Sequence, residues 1–463
     1  MDIVKFITTL GSIVVLPIII FILGLVFGDR PGRALRSGLT VGVGFVGLGI
    51  VITLLLSSLG PATDALIKRT GLQLGAMDVG WPVAAAIAFG TYVGAIIVPI
   101  AFLWNLLLLA TRGTKTLNVD IWNFWHYAFT GSLVVVITHN ITFGVIAALF
   151  HATLSLKIAD ITAKRVQDFF GLPGVSIPQG FAVTTVPVIA AVNKVIDWIP
   201  GLRDVRADPE TIQKRLGTMG DPLLLGAVLG ILMGVLAGYD ITRILQLAVS
   251  LAAVMLLMPR IIGIFMEGLV PFSEAARGFM KRRFADREVY IGLDSAILIG
   301  HPITVAVGIL LIPTVLFLAA VLPGNKTLPF ADLAATAFFV AYATPLTRGN
   351  LVRTYIIGVV VFTIVLYLTT AFAPLLTQTA RSIGFALPES ARQATSITAL
   401  SGGNLFAWLA VMAAKLSSGV GLVVLLALSL AFMWLYRPGE TPKVKVPKAP
   451  TMPPAATPHA PAH

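Results

Sequence analysis

The sequence has no cysteine, which excludes disulfides, thiolate metal sites and a cysteine nucleophile on this chain. Any covalent thiol chemistry must lie on another chain. Charge is scarce as well: of 463 residues only 12% are charged and 57% are hydrophobic, against about 25% charged in an average soluble domain. A soluble globule is excluded. Apolar runs long enough to span a bilayer recur from Phe6–Phe27 to Leu416–Tyr436, so the reading is an all-α polytopic membrane protein with the lipid bilayer as its solvent. The net charge of +12 is spread over short loops between spans, where it sets orientation. No nucleic-acid partner is expected.

Short loops rich in Lys and Arg stay in the cytoplasm. With the N-terminus outside, 23 of the 33 basic residues fall inside and 7 outside, and Lys194, Arg260 and Lys415 sit within apolar segments. This orientation needs an odd number of crossings. Eleven transmembrane helices fit if Ile177–Trp198 and Ile397–Ala413 do not cross completely. Both are broken, at Ile177-Pro-Gln-Gly180 and at Ser401-Gly-Gly-Asn404. Irregular backbone at membrane depth survives only where protein or a polar cavity satisfies it, so both breaks are candidate binding elements. Arg437–His463 is Pro- and Ala-rich without apolar periodicity and reads as a disordered cytoplasmic tail.

The two halves echo each other. Ser58-Leu-Gly-Pro-Ala-Thr-Asp-Ala65 aligns with Gly268-Leu-Val-Pro-Phe-Ser-Glu-Ala275, Gly113-Thr-Lys-Thr-Leu117 with Gly324-Asn-Lys-Thr-Leu328, and Val98-Pro99 with Ile312-Pro313, in one order and at nearly one spacing. Five spans in the first unit would send the second into the membrane from the opposite side. Inverted repeats of this kind typify secondary transporters, with substrate held near the midplane at discontinuous helices.

Ionisable groups inside a bilayer are costly and mark function by default. Asp78 and Asp294 lie 216 positions apart as rough repeat equivalents. Each precedes a stretch too short to cross, as in a re-entrant hairpin, and a pair of such hairpins would bring two carboxylates together as acceptors for sugar hydroxyls. His126 and Thr130 are one helical turn apart on one face, with Trp122, Trp125 and Tyr127 as aromatic surface. Gln179, in the broken segment, both donates and accepts hydrogen bonds. Glu267 can pair with Arg260, two turns away. No metal or other cofactor is called for by any of these groups.

Several motifs carry a specific likeness. Val79-Gly-Trp-Pro82, Asn118-Val-Asp-Ile-Trp-Asn123 with Trp125-His126 and Phe129-Thr-Gly131, Ala237-Gly-Tyr-Asp240, Ala253-Val-Met-Leu-Leu-Met-Pro-Arg260, Ile291-Gly-Leu-Asp294 and Pro323-Gly-Asn325 resemble the galactitol-specific IIC components of the bacterial phosphoenolpyruvate-dependent phosphotransferase system, within the ascorbate and galactitol group. The resemblance runs from about residue 10 to 370. It implies a homodimer in the bacterial inner membrane, each protomer having a V-shaped scaffold domain and a mobile core domain with two re-entrant hairpins. Residues 1–70 and 199–288 would then be scaffold, 71–198 and 289–414 the two core units, 415–436 a last transmembrane helix and 437–463 the tail.

The resemblance further implies elevator-like carriage of a polyol, followed by phosphorylation by a separate IIB chain that is itself charged by IIA. No catalytic residue is then expected on this chain. Carried over by position, the substrate-binding residues are Asp78, Gly80, Trp81, His126, Thr130, Gln179 and Asp294. One departure stands out: the broken segment reads Pro178-Gln179-Gly180 where the resemblance implies Pro-His-Gly. Galactitol is the first expectation, and other hexitols and pentitols follow it.

Overall fold

The computed structural model describes residues 14, 17–72, 74–205, 207, 221–283, 288–387 and 394–436. The tail Arg437–His463, the N-terminal stretch to Ile13 and the loop residues Lys214, Arg215 and Arg287 lie outside the described residues.

The first half runs α1 (Pro31–Thr70), β1 (Ala76–Asp78), α2 (Gly80–Gly90), α3 (Tyr92–Ala110), β2 (Thr116–Asn118), α4 (Phe124–Thr138), α5 (Ile141–Phe170), β3 (Val175–Ser176) and α6 (Ala182–Trp198). After α7 (Pro222–Ala237) the order continues as α8 (Ile241–Arg283), β4 (Tyr290–Gly292), α9 (Pro302–Val321), β5 (Thr327–Leu328), α10 (Ala343–Leu346), α11 (Leu351–Ser382), β6 (Ser396–Thr398) and α12 (Leu405–Ser417). A last helix, α13 (Val420–Leu435), packs on α5 and α12. The aligned pairs of motifs fall on elements of the two halves in the same relative order. The first pair lies within α1 and α8, the Lys-Thr-Leu pair leads into β2 and β5, and the proline pair lies within α3 and α9.

Among the described residues five helices, α1, α3, α5, α9 and α11, are long and apolar enough to cross a membrane, and eight shorter apolar helical stretches accompany them. The short ones arise where a local signal cuts an apolar run. The run after Trp81 breaks at Thr91, whose extended backbone and hydroxyl, accepting from the Gly94 N–H at 3.0 Å, start a new helix. At about 1.5 Å per residue, the 11-residue α2 reaches about 17 Å. That is little more than half of a hydrocarbon core of about 30 Å.

The six strands build two small parallel sheets, ordered β5-β1-β6 and β2-β4-β3. The middle strand of each comes from one half of the chain, and both flanking strands come from the other half. Edge strands in an apolar interior need their free backbone groups satisfied, and side chains do this. Asn105 bonds the Thr116 carbonyl and the Asn118 N–H at 2.8 and 2.9 Å, and Asn325 does the same at both ends of Thr327 at 3.0 and 3.1 Å.

Helices α1, α7 and α8 pack together along their lengths and touch the rest through residues 331–340, α9 and residues 295–300. Along α1, Leu35, Leu39, Val43, Val46 and Ile50 are exposed at helical spacing, the outward apolar stripe a lipid-facing helix presents. Contrary to the sequence expectation, Arg260 and Glu267 are both exposed on α8, and among the described residues no ion pair joins them. On a surface helix, solvation of each charge competes with a contact two turns long.

Candidate functional site

At the end of β1, Asp78 is completely buried and its carboxylate is filled by backbone donors. Oδ1 accepts from Gly80 and Leu400 at 3.0 and 3.1 Å, and Oδ2 from Phe330 and Asp332 at 3.1 and 2.8 Å. Those four amides belong to the loops after β1, β5 and β6. Asp332, also buried, accepts from the Trp81 N–H at 2.8 Å and the Ser401 N–H at 2.9 Å. Gly80 must be glycine here: its φ is +80°, and a Cβ would meet that of Ala331 at 2.8 Å. The Trp81 ring meets Trp122 edge-on, with centroids 5.9 Å apart.

The second sheet is built alike but is chemically different. Asp78 lies opposite Thr398, whereas the corresponding end of β4 is Gly292, opposite Asn118 and Ser176. Asp294 therefore corresponds in register to Gly80, not to Asp78, and the expected equivalence of the two acids is corrected by two residues. A strand ending in glycine cannot supply the carboxylate hub. Asp294 is partly exposed and caps the following turn, accepting from the Ala296 N–H at 2.7 Å. Its neighbour is Asp120, whose Oδ1 accepts from the Trp122 N–H at 3.0 Å and whose Oδ2 has no hydrogen-bond partner. Asp78 is paired with Asp332 and Asp294 with Asp120; among the described residues no contact joins Asp78 to Asp294.

His126, Thr130 and Gln179 do assemble. The Gln179 carbonyl accepts from the Ala182 N–H at 2.6 Å, which orients the amide so that its NH2 donates to His126 Nε2 at 2.7 Å. His126 then carries its proton on Nδ1, an atom with no partner in a side chain only 1% exposed. Thr130 contacts His151 Nδ1 at 2.7 Å, and His151 Nε2 donates to the Gly180 carbonyl at 2.8 Å. His151 thus joins α4 to the broken segment. The Trp125 ring lies against His126, tilted by 33° with centroids 3.8 Å apart.

Sequence reading missed Asp120, Asn123, His151 and Asp332 as members of these clusters. A signal existed for the first two. Asp120, Asn123, His126 and Thr130 are spaced three, three and four along a 3₁₀ turn (Ile121–Asn123) that feeds α4, which puts them on one face. All four are buried, and three carry an unpartnered atom: Asp120 Oδ2, Asn123 Oδ1 and His126 Nδ1. Asp332 gave no such signal, because its partners lie on loops distant in sequence.

Long apolar helices around buried polar groups at strand ends define a helical membrane protein with a polar interior site. The family model described as the sugar-specific permease component of the PTS system, EIIC-GAT, matches residues 6–390, and the chain belongs to that family. It is 38% identical over 434 residues to the galactitol-specific EIIC component of Escherichia coli (strain K12), covering 94% of this chain and 95% of that protein. A second protein of the same strain, named provisionally as a permease IIC component, is 47% identical over 403 residues, covering 87% and 92% respectively.

Proposed function

We propose that this chain is the membrane-translocating IIC subunit of a bacterial sugar phosphotransferase system, carrying a neutral polyol across the inner membrane. The observation that carries this reading is the buried face of α4, where His126 is locked by Gln179 on one side and its Nδ1 has no hydrogen-bond partner on the other. One donor beside several acceptors suits a ligand whose hydroxyls both give and take hydrogen bonds. Galactitol is the first candidate, since a 38% identical relative is named for it.

His126, Gln179, Trp81 and Asp294 are the proposed ligand contacts, with Thr130 holding His151. Asp78 and Gly80 are proposed to hold the strand-end loops together without touching the ligand, because every acceptor site on Asp78 is already occupied. The α1, α7 and α8 group serves as the scaffold and the two sheets with their helices as the moving core of an elevator, within an inverted repeat and a homodimer. Phosphorylation falls to a separate IIB chain, as the missing cysteine requires of a thiol-based donor. The orientation with the N-terminus outside rests on the charge count, and contacts between loops agree with its grouping of loops by side. Lys115 meets Glu288, Arg353 meets Arg203, and Arg69 meets the end of α7, and each pair joins loops that the charge count puts on one side.

The test is uptake into inverted and right-side-out vesicles with and without IIB and a phosphoryl donor. Accumulation of phosphorylated galactitol only when IIB is present supports the reading. Accumulation of unmodified polyol driven by an ion gradient overturns it.

A further inference from the structure

We infer that Asp120 is a further specificity-determining residue of this site: with Asp294 it forms a carboxylate pair that admits uncharged polyhydroxylated ligands and rejects anions, the phosphorylated product included. The inference rests on the polyol reading above and adds to it a residue and a selection rule. The two carboxylate pairs lie at strand ends of the two sheets or in the segments that follow them, and their bonding is opposite. Asp78 and Asp332 together take six backbone N–H donors, so that pair is closed and structural. Asp120 and Asp294 accept from the Trp122 and Ala296 N–H groups, the Asp294 N–H also faces the Asp120 carboxylate, and no well-formed bond reaches Oδ2 of the fully buried Asp120. A buried carboxylate oxygen left without a donor is costly, and a ligand hydroxyl removes that cost.

Asn123 lies one 3₁₀ turn from Asp120. Its amide NH2 donates to Asn118 at 2.8 Å, leaving Oδ1 as a second open acceptor. Two acceptors, Asp120 Oδ2 and Asn123 Oδ1, are thus left open on the face of α4 that also carries His126, whose Nδ1 has no partner either. Hydroxyl hydrogens satisfy such a set. A carboxylate or phosphate group placed there has no hydrogen to give these acceptors and meets the like charge carried by the carboxylate pair, with little water to screen it. A phosphorylated product would be expelled by the groups that held its neutral precursor.

The experiment measures binding of galactitol, galactonate and galactitol 1-phosphate to purified full-length protein in detergent, for the wild type, Asp120→Asn and Asp332→Asn. Wild type is expected to prefer galactitol to either anion by about 100-fold or more. In Asp120→Asn that preference should shrink by about tenfold, through weaker galactitol binding and stronger anion binding, with the ligand-free melting temperature held or raised. Asp332→Asn should lower the melting temperature and leave the preference intact in the protein that remains folded. An Asp120→Asn variant with unchanged preference, or one that melts as early as Asp332→Asn, overturns the role given to Asp120 while leaving the polyol reading standing. Wild type that binds none of the three overturns both.

Discussion

Gln179 and His126 meet nitrogen to nitrogen at 2.7 Å, across 53 residues of sequence. Because the Ala182 N–H fixes which end of the amide is oxygen, this one contact fixes the tautomer of His126 and with it the polarity of the site. Gln179→Leu should leave His126 Nε2 buried without a donor. Galactitol affinity should then fall about 10- to 100-fold, while Gln179→His, which restores a ring N–H, should recover much of it with an altered ranking of hexitols. Isothermal titration against a hexitol panel reads both, and equal affinity in Gln179→Leu refutes the assignment.

Asp78 separates a structural acid from a ligand acid. Asp78→Asn replaces a carboxylate oxygen by an NH2 that faces backbone donors, so two buried N–H groups lose their acceptor at about 1–3 kcal/mol each. The variant should melt well below wild type. Its folded fraction should keep galactitol affinity to within about threefold, because the cost falls on the strand ends and not on the ligand. Loss of binding at an unchanged melting temperature would instead make Asp78 a ligand contact.

Apolar run lengths made the helical membrane class legible, since it rests on local composition and on prolines and glycines that act where they stand. The two sheets were not legible. Their strands are two or three residues long, too short for an alternating pattern, and each middle strand finds both partners in the other half of the chain. The same non-local pairing explains why Asp294 seemed to match Asp78: an offset taken from flanking motifs is blind to a two-residue shift that only strand register reveals. That His126, Thr130 and Gln179 lie close together was legible because a helical turn and a broken segment leave marks in sequence. Asp332 was missed because its partners Trp81 and Ser401 lie 251 and 69 residues away.

Gly180 is where the broken segment passes closest to α4. A Cβ there would lie 2.5 Å from that of His126 and 3.1 Å from His151 Nε2. Gly180→Ala must push the segment away from the helix, stretching both the Gln179 to His126 bond and the His151 bond to the Gly180 carbonyl. A stability loss of about 1–3 kcal/mol is expected, with galactitol affinity reduced more than tenfold. Thermal unfolding with and without galactitol measures both. A variant with wild-type binding would show that the segment yields without cost and that Gly180 does not hold the site together.

Lys115 and Glu288 join the loops that lead into β2 and β4. The Lys115 ammonium donates to Glu288 Oε2 at 3.1 Å and the Tyr290 hydroxyl does so at 2.9 Å, and these bonds hold the Glu288 carboxyl below its ordinary range. The folded protein then binds this proton more weakly than the unfolded chain does. The pair therefore stabilises the fold above the ordinary glutamate value of about 4.3, and that contribution disappears as the pH falls through the lower folded value. Both side chains are more than a third exposed, so the effect is small, below about 1 kcal/mol. Comparing the melting temperatures of wild type and Glu288→Gln from about pH 7 to about pH 3 should show a constant gap at the upper end that closes at the lower. Added salt should narrow the gap at neutral pH, because an exposed pair is screened. A gap that persists undiminished in acid would mean that Glu288 acts through packing and not through its charge.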